Sequence, residues 1–160
     1  MDVRRRTIDS IKAFAAEAEV LAQATVTSRS SVKLKAAPGD ETSNLMYIAS
    51  AKLDRVSGSE PAPGAEVDIY VSHTQDVEGR PQTRPALDAA LQPGAKALVG
   101  LTSRPDGRYQ LNSASAFLIS EDASVTYIGP ACTPSVADAK VSAETQGLRA
   151  HELWDVLSQK

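Results

Sequence analysis

The sequence predicts a mainly β protein: a small closed or nearly closed antiparallel barrel with an N-terminal and a C-terminal helix. Three observations predict it. Short stretches between residues 20 and 128 alternate apolar with polar side chains, as strands with one buried face do. Turn clusters separate them, among them Pro38-Gly39-Asp40, Pro93-Gly94 and Pro105-Asp106-Gly107. The stretch after Pro93-Gly94 is largely apolar on both faces and carries Gly100. That combination marks a central strand, packed inside and covered outside, bent where another element approaches.

Taken in order, Ile8, Ile11, Phe14 and Ala15 recur at helical spacing, so a short amphipathic helix is expected over 7–18 with Thr7 as its N-cap. Over 20–28 the period becomes two: Val20, Ala22, Ala24 and Val26 share one side, Leu21, Gln23 and Thr25 the other. Residues 29–43 read as a polar loop or hairpin tip. Alternation resumes over 44–56, with Ala49, Ala51 and Leu53 on one side. It returns over 66–72, with Val67, Ile69 and Val71 inward and Glu66, Asp68 and Tyr70 outward.

Residues 73–93 lack strand character. Pro81 and Pro85 argue against regular pairing there, residues 86–91 suit one helical turn, and the stretch is expected to be a mobile loop. Over 95–101, Ala95, Ala97, Val99 and Leu101 face one way, Lys96, Leu98 and Gly100 the other. Strands are expected at 108–113, 115–121 and 124–129. Pro105-Asp106-Gly107 signals a hairpin before the first, and residues 121–124 form a tight turn before the last. Residues 130–146 hold few large apolar side chains and read as a linker. Leu148, Leu153, Trp154, Val156 and Leu157 fit an amphipathic helix over 147–158. The whole is expected to be one domain, 1–160, with its barrel at 20–128.

The chain has 160 residues, 42% apolar and 23% charged, ordinary for a globular domain with a core of its own. Aromatic residues are only 4%, so the core must be aliphatic. A net charge of -3 gives no broad positive field for phosphate backbones. Arg4-Arg5-Arg6 reads as a solvated tail. Cys132 is the single cysteine, which excludes an intrachain disulfide and a multi-cysteine zinc site. No run of about 18 apolar residues suits a membrane-spanning helix. The N-terminal arginines are followed by Asp9, Lys12, Glu17 and Glu19 rather than an apolar core, so this is not a signal peptide. The expected setting is the cytoplasm or, if an export segment has been removed, the cell envelope or exterior.

The order of signals resembles a loosely defined group of bacterial proteins, many exported, with an OB-like β-barrel related to the netrin-like and metalloproteinase-inhibitor barrels. The pieces that carry the resemblance are residues 18–26, 53–58, 64–69, 91–101, 106–111 and 116–119, in that order. Ala24 stands where the group has Gly, Ala97 where it has an aromatic, and Gly100 where it has Phe. The resemblance implies a fold and an envelope setting. The group carries no agreed activity, so it implies no mechanism. Inhibitors of this barrel type ligate metal through an N-terminal cysteine, and Met1-Asp2-Val3 has none.

Chemistry-bearing motifs are sparse. His73, Asp76 and Glu78 share a loop at no spacing that suits zinc. His151 reads as a surface side chain. Cys132 has no basic neighbour to depress its pKa, so its use as a nucleophile with His73 or His151 is disfavoured. No G-x-S-x-G elbow and no phosphate-binding glycine loop is present. Asp54, Glu66 and Asp68 read as a solvated strand face, and Trp154 as a cap on the barrel. No catalytic residue, metal or cofactor is assigned.

The expected function is therefore a non-enzymatic binding or protein-interaction module with an unknown protein or envelope partner. Its candidate surface joins the loop 73–93 to the barrel rim through Tyr70, His73, Asp76, Arg80, Arg84 and Arg104. One alternative is a cytoplasmic single-stranded nucleic-acid binder on the same barrel. It would use Tyr47, Tyr70 and Tyr109 with the scattered Lys33, Lys35, Lys52, Lys96, Arg104 and Arg108. The net charge disfavours it. Another is a hydrolase using His73 or Cys132.

Overall fold

Period-two alternation runs without a break from Val20, and the barrel grows from the long strand it makes. The computed structural model describes residues 10–31, 46–57, 61–72, 74–75, 81–82, 89–112, 115–129 and 136–158. In chain order the elements are α1 (Ile11–Glu17), β1 (Val20–Ser31), β2 (Met46–Val56), β3 (Glu66–Ser72), β4 (Thr74–Gln75), β5 (Pro81–Gln82), β6 (Lys96–Ser103), β7 (Tyr109–Leu111), β8 (Ala116–Ile119), β9 (Val125–Ile128), α2 (Val136–Thr145) and α3 (Ala150–Ser158).

Strands β1, β2, β3, β7 and β6 pair in that order, and β6 returns to β1, closing a barrel of five strands. The closing contact between β3 and β7 is parallel, Ile69 opposite Tyr109 and Tyr70 opposite Gln110; the other barrel pairings are antiparallel. This is the architecture of a small OB-like barrel. Closure needs strong coiling, and the β1–β2 ladder supplies it with two register shifts, at Gln23/Ala24 and Val26/Ser28. One edge of β6 serves both β7 and β8, and β8 continues into a hairpin with β9.

The interior follows the alternation. Ala22, Ala24, Val26, Ala49, Ala51, Leu53, Ile69, Val71, Ala97, Val99 and Leu101 meet inside the barrel. Small side chains dominate because five strands enclose little space. The outward Leu21 and Leu98 join a second cluster between barrel and helices, built on Ile11, Phe14, Phe117, Tyr127, Val141, Leu153 and Leu157. Phe117 stands at its centre, 4.8 Å from Phe14 and 5.0 Å from Tyr127 between ring centroids. Strand β6 is thus covered on both faces, as expected. The turn before it places Gly94 at φ +90, with the Ala95 N–H donating to Gln92 O and the Gly94 N–H to Val26 O. Gly100 marks a close approach: a Cβ there would lie 3.1 Å from the Ala18 Cβ at the end of α1.

Several expectations need correction. The first helix begins at Ile11 with Ser10 as N-cap, its hydroxyl accepting from the Ala13 N–H; Thr7 lies outside the described residues. Pro81 does pair. It opens β5 opposite Gln75, in the first-residue position that needs no N–H from proline. The predicted linker 130–146 contains α2, which buries Asp138, Val141 and Thr145 against β9 and α1. Its alanines favour helix, but it has no apolar stripe, and Val136 is 78% exposed. In the last helix Ala150, Leu153 and Leu157 face inward, Val156 is exposed, and Trp154 packs half-buried on the helix-side cluster rather than over the barrel end. Among the described residues no helix is long and apolar enough to cross a membrane.

Candidate interaction site around Tyr70

Tyr70 points outward from β3, yet it is only 4% exposed. Two arginines from the β6–β7 hairpin cover it, and the turn chemistry explains how they arrive together. Arg104-Pro105-Asp106-Gly107 forms a turn in which the Gly107 N–H donates to Arg104 O, with Gly107 at φ +84. The Arg104 N–H then donates to Arg108 O. Arg104 and Arg108 are therefore cross-strand neighbours whose side chains leave the same face. The parallel pairing of β7 with β3 sets that face beside Tyr70 and Asp68.

The Arg104 guanidinium carbon lies 4.4 Å from the Tyr70 ring centroid and that of Arg108 lies 5.5 Å away, both within cation–π range. Arg108 Nη1 donates to the Tyr70 hydroxyl at 2.6 Å. The hydroxyl in turn donates to Asp106 Oδ2 over a long 3.4 Å. Arg104 Nη1 donates to Gln110 Oε1 at 2.9 Å, and Gln110 Nε2 donates to Tyr70 O at 3.4 Å. The hydrogen bond from Arg108 to Tyr70, followed by the pull of Asp106 and Asp68, raises the Arg108 pKa above its already high ordinary value. Arg108 therefore keeps its charge through any physiological pH.

The neighbouring carboxylates are engaged elsewhere. Asp68 Oδ1 accepts from Ser50 Oγ at 2.7 Å, and Asp106 Oδ1 accepts from the Arg108 N–H at 3.0 Å. Their contacts to the guanidinium Nε atoms are loose: 3.6 Å from Asp68 to Arg108 and 3.9 Å from Asp106 to Arg104. Arg104 Nε is buried without a hydrogen-bond acceptor among the described residues. Along the same outer face, Thr25 donates to Asp54 and Thr27 to Glu66, extending an acidic row across β2 and β3.

Of the residues expected at the interaction surface, Tyr70 and Arg104 come together; His73, Asp76, Arg80 and Arg84 lie outside the described residues, as does Cys132. The sequence reading missed the grouping of Arg108, Gln110, Asp68 and Asp106 with Tyr70. A signal for part of it was present: R-P-D-G-R reads as a hairpin whose two arginines face each other. Among the described residues, no three His, Cys, Asp or Glu side chains gather as metal ligands would. His151 is exposed on α3. A cleft of about 730 Å³ elsewhere, between Lys96 and Glu121, has no histidine or cysteine among the described residues that line it. Neither the protein-family models, nor the curated proteins, nor the solved structures contain a match to this chain.

Proposed function

We propose that this chain is a non-enzymatic binding module whose partner is a protein, working at the cell envelope as the bacterial OB-like barrels it resembles are expected to. One observation carries the reading. Tyr70, Arg104 and Arg108 form an ordered aromatic and cationic surface on β3 and the β6–β7 hairpin. In OB-type barrels the face of strands 2 and 3 and the adjoining loop between strands 4 and 5 form the surface where oligonucleotides and oligosaccharides bind. The surface sits on rigid strands, and its groups hydrogen-bond to one another rather than pairing a nucleophile with a base.

The nucleic-acid alternative has less support. Base stacking needs an open aromatic face. Arg104 lies over Tyr70, and Tyr109 packs toward the barrel core. Asp54, Glu66 and Asp68 on the same outer face repel a phosphate backbone.

The test compares the wild-type chain with Arg104→Glu/Arg108→Glu. A protein captured from an envelope extract by the wild type and lost with the charge-reversed variant is the expected result. Fluorescence anisotropy at low salt should find no oligonucleotide binding, and an ester, peptide and phosphoester screen no turnover. Salt-sensitive oligonucleotide affinity or measurable turnover would overturn the reading.

A further inference from the structure

We propose that Arg104 and Arg108, held on Tyr70, are the docking point for the carboxylate of an acidic peptide segment. The inference rests on the binding-module reading and names the chemistry of its partner.

Each guanidinium has five N–H donors in a planar fork. Among the described residues, one donor of Arg104 bonds to Gln110 and one of Arg108 bonds to Tyr70. The internal carboxylates stand at 3.6 and 3.9 Å from the Nε atoms, well beyond the roughly 2.7–2.9 Å of a charge-assisted bond. Each also accepts another donor, Asp68 from Ser50 and Asp106 from the hairpin backbone, and an incoming carboxylate can take the fork that neither occupies. Arg104 Nε is itself buried, so a carboxylate approaches the guanidinium through the part of the side chain that solvent reaches. Contact with Tyr70 already holds both guanidinium groups in place, which lowers the ordering cost of binding.

Charge selects the class of anion. Asp68 and Asp106 lie beside the two arginines, and Glu66 and Asp54 continue the acidic row. Such a site favours a single negative charge over a phosphate dianion or a phosphodiester chain. The acidic row then suits basic or hydroxyl-bearing residues further along the same peptide. A short peptide with an Asp or Glu at one end and a Lys or Arg several residues away is complementary to the whole face.

The test uses the full chain, labelled with ¹⁵N, and two probes with blocked termini: a Gly/Glu peptide and its Gly/Gln counterpart. The Glu peptide is expected to move the Arg104 Nε–H resonance and the Tyr70 and Gln110 amides, binding about tenfold or more tightly than the Gln peptide. Arg104→Lys and Arg108→Lys keep the charge and lose the fork, and each is expected to weaken binding several-fold with the amide spectrum otherwise unchanged. Equal affinity for the two peptides overturns the carboxylate assignment and leaves the binding-module reading standing. So does a silent Arg104 Nε–H, or inorganic phosphate outcompeting the Glu peptide at equal concentration. Displacement of the Glu peptide by a short oligodeoxythymidine overturns both.

Discussion

The β6–β7 and β8–β9 hairpins turn on the same hydrogen bonds and are put to opposite uses. In the first, the Arg104 N–H donates to Arg108 O and the Gly107 N–H to Arg104 O; in the second, the Ser120 N–H donates to Ser124 O and the Ala123 N–H to Ser120 O. Each has an aspartate at its third position whose Oδ1 accepts the N–H two residues on, Asp106 from Arg108 and Asp122 from Ser124. The second turn is built into the fold. The Ala150 N–H at the start of α3 donates to Ala123 O, Arg149 Nη1 donates to Asp122 O, and Ser124 bridges to Arg149. Among the described residues the first turn has no helix over it, and it lays two arginines on an outward tyrosine. One turn geometry thus serves as an anchor where a helix returns to it and as a display where none does. The aromatic rings beside them differ accordingly: Phe117 is shut in by Phe14 and Tyr127, while Tyr70 is covered by arginine side chains that solvent also reaches.

The largest effect should therefore come from the anchored side. Phe117→Ala removes a fully buried ring from the cluster under the helices and is expected to cost about 3–5 kcal/mol in urea unfolding. Arg104→Ala on the display side should cost about 1 kcal/mol or less, the worth of an exposed cation–π contact. Comparable losses for the two variants would erase the distinction between anchor and display.

A reciprocal exchange at the two turns comes next. Gly107 has φ +84 and open space where a Cβ would stand, so Gly107→Ala meets no clash and costs only backbone strain, about 1–2 kcal/mol. Ala123 holds φ +68, the same left-handed region, with a side chain that disfavours it. Ala123→Gly should relieve that strain and, after the extra chain entropy of glycine when unfolded, stabilise by about 0.5–1 kcal/mol. Thermal melts of both variants check the pair. A destabilised Ala123→Gly would mean the methyl group packs usefully beneath α3.

How much of this was legible follows from which signals are local. The barrel interior was readable because alternation over Val20–Val26, Ala49–Leu53 and Val67–Val71 is a property of single strands. The double cover of β6 was readable from apolar residues on both of its faces. Helix α2 was not, since it has no apolar stripe: Val141 is buried by docking rather than by pattern, and the buried Asp138 reads as a surface residue. The pairing of Pro81 was hidden because proline's veto applies only where its N–H is needed. At the candidate site, Tyr70 and Arg104 were assigned to one rim surface, but their direct contact was not legible. Their meeting depends on the parallel β3–β7 register, a contact between residues far apart in the chain that no local pattern encodes. The turn at 121–124 was readable, but the positive φ at Ala123 was not, because alanine is not a residue that usually takes it.

The smallest expected effect is read by pH at the second turn. Asp122 Oδ1 accepts from Ser124 Oγ at 2.6 Å and from the Ser124 N–H at 3.0 Å, and these bonds, the hydroxyl's first, hold its pKa below the usual carboxylate value. A carboxyl depressed in the folded state stabilises in full above its unfolded pKa, about 3.9, and that contribution is lost as pH falls through the folded value. Stability measured from pH 7 down to pH 2 should therefore decline on the acid side partly through Asp122, and Asp122→Asn should flatten that limb while losing some stability at neutral pH. Ser124→Ala should flatten it too, since the hydroxyl supplies the largest part of the depression. An acid limb that Ser124→Ala leaves as steep as wild type would show that the backbone N–H of the turn, and not the Ser124 hydroxyl, sets the carboxylate's environment.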